Sequence, residues 1–274
     1  MYNYIAKNVW AGRGFLIEYD ATITLIFGLP PYIFFAVVGI VFAASIFILL
    51  LATYDYNLPK YTKILFISAI GLLLGGRLFG ALTGLYIALA GGLAITTHTF
   101  TDTGIVFYGG MIGFVLSFSL ICKIWGKEID HGIMDLVAVC IPIFHFWGRL
   151  GCFFGGCCFG LEVEANTIFS VIYTTHIAGE HITATRFPIQ LLEAVINLLL
   201  FVVLLILLWK QKLRGHLIIV YLVSYAIMRI VLEFFRGDLV RGVWNGVSFS
   251  QVVSVIVLIC CAIFIVIKRP ANSV

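Results

Sequence analysis

Three arginines stand inside or at the edge of long apolar runs: Arg77, Arg149 and Arg229. On insertion scales an arginine at the bilayer centre costs about 2.5–3.5 kcal/mol, so each is expected to face a polar cavity or a partner. Two of them sit among glycines. Arg77 follows Gly75 and Gly76, and Arg149 lies within Gly148-Arg149-Leu150-Gly151, where missing side chains let backbones approach and clear room beside a guanidinium. Arg229 belongs to the run from Tyr225 to Arg236. Positions 225, 229, 233 and 236 step by four, four and three, which predicts one helix face carrying Tyr225, Arg229, Glu233 and Arg236. The planar guanidinium fork suits phosphate oxygens, so several arginines gathered toward one interface read as a clamp for a phospholipid headgroup. The plainer alternative is that each arginine snorkels to an interface or closes an ion pair, such as Glu233 with Arg229, that only pins helices. That alternative has no use for the other two arginines or for the glycines.

Further polar residues stand at the predicted helix starts. Tyr32 follows Pro30-Pro31, and Tyr108 precedes Gly109-Gly110. Pro188-Ile-Gln190-Leu-Leu-Glu193 combines a proline near the first helical position with an acidic residue in the first turns, as suits a helix N-terminus. Gln251 opens the last span. His145, one turn before Arg149, adds a group with an ordinary pKa of about 6.5, unless it is a buried histidine that only bonds a neighbouring helix. Of the seven cysteines, Cys122, Cys140, Cys260 and Cys261 lie in apolar runs, where free cysteine behaves as a small hydrophobe. Cys152, Cys157 and Cys158 cluster in one glycine-rich turn that ends at Gly160. With His145 they offer a metal set; in an oxidising compartment Cys152 and one of the pair offer a disulfide. The absence of a C-x-x-C spacing favours a third reading, small residues packed where backbones crowd a lipid.

The elements that position these residues follow from composition. Of 274 residues 62% are hydrophobic and 11% charged, with a mean hydropathy of +1.12, against about 25% charged in a soluble domain. No charged side chain occurs between Asp20 and Asp55, from Thr103 to Cys122, or from Gly242 to Ile267. A bilayer core of about 30 Å takes about 20 apolar residues per helix. The chain therefore reads as an all-α polytopic membrane protein of about seven transmembrane helices. The predicted spans are Pro31–Ala52, Ile64–Ala88, Ile105–Lys123, Gly132–Trp147, Pro188–Trp209, His216–Phe235 and Ser248–Ile267. The fourth is short for a crossing and is expected to run past Arg149 or lean on neighbours. Asn3 to Thr22, with Trp10, Phe15 and Tyr19 among charges, suits an amphipathic segment along the interface. No short signal peptide precedes the first span, so the N-terminus is expected to be retained.

Alternating loops place Lys60, Lys63, Lys123, Lys127, Lys210, Lys212, Arg214, Lys268 and Arg269 on one side, and Lys7, Arg13, Arg186, Arg236 and Arg241 on the other. The richer side should be cytoplasmic. The N-terminus and the segment 150–187 then face outward, the latter as a small head whose Thr-, Ile- and His-rich part, Thr167–Thr185, predicts a strand or two. A modest net charge of +4 in short loops is topological and gives no reason to invoke nucleic acid.

In order along the chain, these motifs resemble the prolipoprotein diacylglyceryl transferases of bacteria. Pro31-Tyr32 ahead of Gly39 looks like the family's first helix, and Gly75-Gly76-Arg77-Leu78 like its second. Tyr108-Gly109-Gly110 stands where the family usually has His-Gly-Gly, and Gly148-Arg149-Leu150-Gly151-Cys152-Phe153 where it reads Gly-Arg-Ile-Gly-Asn-Phe. Gly160, Pro188-Ile-Gln190-Leu-Leu-Glu193, Tyr225 through Arg236 and Asp238, and Ser250-Gln251 complete the series. The resemblance implies a single membrane-embedded transferase domain over 1–274 that moves a diacylglyceryl group from phosphatidylglycerol to the lipobox cysteine of a prolipoprotein signal peptide. Glycerol phosphate leaves and a thioether forms; no cofactor and no metal are implied. Arg149 and Arg229 would stabilise the phosphate, helped by Arg77 and Arg236, with Tyr32, Tyr108 and His145 beside the chemistry. Gly109, Gly110, Cys152, Gly160, Gln190, Tyr225 and Glu233 would line the substrates.

Tyrosine in place of the usual histidine is a poor base at neutral pH, because its ordinary pKa is about 10, and Cys152 and Cys157 replace the usual asparagine and glutamate. These exchanges bear on the acceptor side more than on the lipid side. They keep open a related lipid transferase with a different acceptor or donor, and an inactive homologue that binds lipoprotein precursors. An anion transporter should show internal repeats and charges spread along a path across the membrane; here the cationic set gathers toward one face.

Overall fold

The computed structural model describes residues 8–11, 14–20, 26–91, 94–101, 106–126, 131–164, 167, 169–177, 180–237, 243–244 and 246–267. Lys7, Arg13, Lys127, Asp238, Arg241, Lys268 and Arg269 lie outside the described residues. The long helices are α1 (Pro31–Thr53), α2 (Leu58–Gly91), α4 (Phe107–Gly126), α5 (His131–Phe154), α6 (Ile189–Trp209), α7 (Leu217–Glu233) and α8 (Phe249–Ile267), with a short α3 (Thr97–Thr101) after α2. Six of these are long and apolar enough to cross a membrane. The exception is α7, whose 17 residues fall just short of that length. The fourth predicted span does run on, through Arg149 to Phe154. The chain is a multi-pass membrane protein.

Two compact units form, one from Met1–Ser45, Cys140–Val203 and Phe234–Asp238, the other from Ile46–Val139, Leu204–Glu233 and Leu239–Val274. In the first, α1 lies against α5. Gly39 makes this approach possible, since a Cβ there would meet Trp147 Cβ at 2.9 Å. Phe35 stacks on Phe154 with ring centroids 5.1 Å apart and on Trp147 at 6.2 Å. The head segment is a four-stranded sheet in the order β1-β2-β3-β4, made of Asn8–Ala11, Gly14–Asp20, Ser170–Ile177 and Glu180–Arg186. The β3–β4 hairpin falls where the Thr/Ile/His-rich stretch predicts strands. The interfacial segment expected near the N-terminus is a correction: its described residues pair with each other antiparallel, and β2 pairs parallel with β3, Leu16 opposite Ser170. Backbone hydrogen bonding to the head decides the conformation there. Phe153, Val171 and Tyr173 form a buried core, with Phe154, Phe159 and Leu191 packed on it.

In the second unit α2 and α4 touch backbone to backbone. Gly71 and Gly75 on α2 meet Gly113 and Gly109 on α4, and a Cβ on any of them would run into the opposing helix. Absent side chains are what allow such close crossing in a membrane. The start of α7 is fixed by Asp135, whose carboxylate accepts the Gly215 and Leu217 backbone N–H groups, the latter at 2.9 Å. The start of α8 is a capping box: Ser248 Oγ accepts the Gln251 N–H at 3.2 Å, and Gln251 Oε1 accepts the Ser248 N–H at 2.9 Å. Before it stands a two-stranded ribbon, β5 (Val243–Trp244) and β6 (Val247–Ser248).

Candidate functional site

Within the first unit, polar groups converge around Arg149. Its side chain is buried near the C-terminal end of α5, and its Nε pairs with Glu193 on α6 and donates to His145 Nε2 at 3.2 Å. The i, i+4 spacing of His145 and Arg149 puts them on one face of α5; Glu193 reaches them from the next helix. All three are buried, so the guanidinium is neutralised inside an apolar segment as its cost demands. Gln190, fully buried one turn before Glu193, donates from Nε2 to the Cys157 carbonyl at 2.7 Å and to Tyr173 Oη at 3.3 Å. Its Oε1 has no hydrogen-bond partner among the described residues. Tyr32, half exposed at the start of α1, meets the same end of α5, where its Cα would lie 3.3 Å from a Cβ on Gly151.

The glycine- and cysteine-rich turn follows directly. Gly156 at φ 63° and Cys158 at φ 60° reverse the chain through the left-handed region, which is uncommon for a residue with a Cβ. The result is that the sulphurs of Cys152, Cys157 and Cys158 all lie within 4.8 Å of one another, and all three are free thiols. Hydrogen bonds with Cys152 and Cys157, then the Arg236 and Arg149 guanidinium charges, hold the Cys158 thiol well below the ordinary thiol range against the effect of burial. Cys157 is lowered by its hydrogen bond with Cys152 but raised more by its bond with Cys158, burial and the Cys158 charge, and ends up at about 12. Sequence reasoning weighed this turn as a metal set, a disulfide or close packing and favoured packing; the fold brings the three sulphurs together as free thiols.

Gly160 closes the turn. Its N–H donates to the Phe187 carbonyl at 2.9 Å and it bridges to Arg236, and a Cβ would lie 2.5 Å from Phe187 O. Arg186, read from the sequence as a loop charge, lies over the Phe159 ring at 4.4 Å and pairs with Glu162 at 2.8 Å. Arg236 is buried, but not on the face predicted for it. Helix α7 ends at Glu233, and the chain turns through Phe234 and Phe235 so that Gly237 N–H can donate to Phe159 O at 3.1 Å. The four-four-three step therefore holds for Tyr225, Arg229 and Glu233 and fails for Arg236.

Within the second unit, Arg229 and Glu233 are both buried one turn apart on α7 and pair at 3.0 Å. Ser250 joins them from α8, donating to Glu233 Oε2 at 3.0 Å and lying 3.4 Å from Arg229 Nη2. Ser248 Oγ is 3.0 Å from Ser250 Oγ. Tyr108, buried in the first turn of α4, shares a 2.7 Å hydrogen bond with Ser254, and its ring meets Tyr225 edge-on at 5.0 Å. Gly109 and Gly110 are buried beside it, with Gly109 against Gly75 and Phe79 of α2. Arg77 lies on α2 with an exposed side chain. Ser248 and Ser254 were missed by sequence reasoning. The one-turn step from Ser250 to Ser254, just after the cap, was the available signal.

Comparison with known proteins adds an independent line. A sequence model described as LGT, prolipoprotein diacylglyceryl transferase, matches residues 22–267. The chain is 33% identical over 177 residues to the phosphatidylglycerol–prolipoprotein diacylglyceryl transferase of Helicobacter hepaticus, which covers 62% of this chain and 59% of that protein. It is 30% identical over 241 residues to the phosphatidylglycerol–prolipoprotein diacylglyceryl transferase 2 of Clostridium perfringens, over 85% of this chain and 90% of that one. The Clostridium tetani protein of the same type is 28% identical over 240 residues, 85% and 92% of the two chains. The chain thus spans less than two thirds of the Helicobacter protein and about nine tenths of the clostridial ones.

Proposed function

The chain belongs to the prolipoprotein diacylglyceryl transferase family, and from that premise we propose that it transfers the diacylglyceryl group of phosphatidylglycerol to the lipobox cysteine of prolipoprotein signal peptides. The carbon–oxygen bond to the phosphate breaks, a carbon–sulphur bond forms, and glycerol phosphate leaves. The whole chain acts as one membrane-embedded transferase domain in a bacterial cell membrane, with the N-terminus and the head outward and the C-terminus cytoplasmic.

The observation that carries this reading is that Arg149 and Arg229, in a chain matched over 22–267, are each buried in an apolar helix beside a carboxylate. Glu193 and Glu233 hold the guanidinium groups in place, and a guanidinium fork is the side chain best matched to phosphate oxygens. Stabilising charge on a leaving group from fixed donors in a dry site is the largest single contribution such a protein can make. Arg77 and Arg236 support the headgroup. The Gln190 Oε1 acceptor suits a glycerol hydroxyl, and Tyr32 and Cys152 stand at the same end of α5. Tyr108 and Tyr225, buried against each other beside Gly109 and Gly110, pack behind Arg229 and Glu233, while Gly160 keeps the turn closed. His145 orients Arg149 through its ring nitrogen.

Complementation tests the reading. The chain is expressed in cells depleted of their own diacylglyceryl transferase, and the mass of one tagged lipoprotein is followed. The parent should add one diacylglyceryl group, and Arg149→Ala and Arg229→Ala should each cut transfer by about 10²–10³-fold or more, as loss of a fixed donor to developing charge does. A well-inserted parent that adds no mass would refute the proposal.

A further inference from the structure

Transfer to a thiol needs the acceptor as thiolate, since the thiolate is the nucleophile. In the first unit the titratable groups beside Arg149 are already engaged by it: Glu193 pairs with the guanidinium and His145 Nε2 accepts from Nε. A separate device at the same end of α5 can hold the acceptor sulphur in its charged form. Three protein sulphurs, those of Cys152, Cys157 and Cys158, lie within 4.8 Å of one another at this end of α5, with no imidazole or carboxylate in the group. A tetrahedral zinc with sulphur at about 2.3 Å sets its ligands about 3.8 Å apart, and the three sulphurs, all within 4.8 Å of one another, stand near that spacing. The backbone is arranged to the same end. Cys158 is held at φ 60°, the Cys157 carbonyl is tied by Gln190, and the Cys157 N–H donates to the Cys152 carbonyl at 3.1 Å.

We propose that Cys152, Cys157 and Cys158 bind a thiophilic divalent cation of the zinc class, whose fourth position takes the acceptor thiol. An all-sulphur donor set selects soft metals. Three ligands from one turn cover one face of a tetrahedron and leave the fourth corner open, the pattern of a metal site that takes a substrate. The open side is the exposed Cys157 side, while Cys152 forms the buried floor. Three thiolates on a divalent ion carry a net charge of −1, which Arg149 and Arg236 offset. On coordination the acceptor S–H gives its proton to solvent. Its sulphur lone pair then forms the bond to the glyceryl carbon as the carbon–oxygen bond breaks, and the electron pair leaves with glycerol phosphate. The thioether that results is neutral, binds the metal weakly and departs. This rests on the transferase reading above, and it explains why the Tyr108 and Cys152 exchanges need not cost the activity.

The full-length protein, purified in detergent, is analysed for zinc and then loaded with cobalt. One zinc per chain is expected, falling at least severalfold in Cys152→Ser, Cys157→Ser and Cys158→Ser, each checked for folding by gel filtration. Cobalt should give sulphur-to-metal charge-transfer bands. A lipobox-cysteine peptide should shift them, and its serine counterpart should not. Stripping the metal should abolish transfer, and zinc should restore it. Undiminished transfer by metal-free protein would overturn the metal's role in taking the acceptor thiol while leaving the transferase reading intact, as would cobalt bands that ignore the thiol peptide. A spectrum that responds to the peptide in a protein that never transfers would uphold the thiol site and remove the transferase reading instead.

Discussion

Neighbouring cysteines in one turn differ in acidity because both thiol hydrogen bonds of Cys158 favour its charged form, whereas the one between Cys157 and Cys158 works against Cys157. Cys158 is lowered by bonds with Cys152 and Cys157 and by Arg236 and Arg149, and Cys157 is raised to about 12. A thiol whose folded-state pKa lies below its unfolded value of about 8.5 adds stability that is present above that value and lost as pH falls through the folded one. The raised Cys157 behaves in the opposite sense: its contribution is present below about 8.5 and lost as pH rises through about 12. At pH 7, with chelator present to clear any metal, iodoacetamide should therefore modify Cys158 well before Cys157, although Cys157 is the more exposed. Site-resolved mass spectrometry from pH 5 to pH 9 measures this. Modification of Cys157 first, or of both together near the ordinary thiol range, would show that the hydrogen bonds and arginine charges do not lower Cys158.

Helices α2 and α4 are held by what their glycines lack. A Cβ on Gly75 or Gly113 would strike backbone atoms of the opposing helix, which cannot step aside as a flexible side chain can. Overpacking of this kind costs about 1–3 kcal/mol, so Gly75→Ala and Gly113→Ala should each lower the thermal midpoint in detergent by roughly 3–10 °C. Gly148 on α5 is the control. Nothing lies within 4 Å of the Cβ it would gain, so Gly148→Ala should leave the midpoint unchanged or raise it slightly. Equal losses for all three would show that helix propensity, not contact, sets the outcome. A close backbone approach at Gly75 was legible in the sequence, because Gly75-Gly76 is a local pattern in an apolar run, but that α4 is the helix approached was not. The start of α1 at Pro31 and the one-turn spacings His145–Arg149 and Arg229–Glu233 were legible for the same reason. The β2–β3 pairing was not, since it joins residue 16 to residue 170 and neither strand announces its partner. Arg236 misled because the helical step continues in the sequence after backbone bonds to the Gly160 segment have ended the helix. Glu193 as the partner of Arg149, and Ser254 as the partner of Tyr108, depend on which helices neighbour which, and no spacing within one helix encodes that.

For the whole molecule the proposed orientation rests on the distribution of basic residues. Lys60 and Lys63 stand in the first turns of α2, Lys123 in the last turn of α4, and Lys210, Lys212 and Arg214 between α6 and α7. Those helix ends all fall on one side if each long helix crosses once. Short loops rich in lysine and arginine stay in the cytoplasm, and the proposed orientation accordingly has the head, with Glu164 and the cysteine turn, on the outer side. That placement suits the proposed chemistry, because a signal peptide presents its cysteine at the outer interface only after its own segment has inserted. The orientation is tested with single cysteines, Glu164→Cys and Lys212→Cys, in chains whose native cysteines are replaced by serine. Both positions are exposed, so accessibility in the folded protein does not favour either. In intact cells with the outer barrier permeabilised, a membrane-impermeant maleimide should label position 164 at least about tenfold more than position 212, with equal labelling after lysis. Labelling of 212 alone before lysis would invert the topology, place the head and its thiols in the cytoplasm, and remove the acceptor from the side on which the proposed transfer takes place.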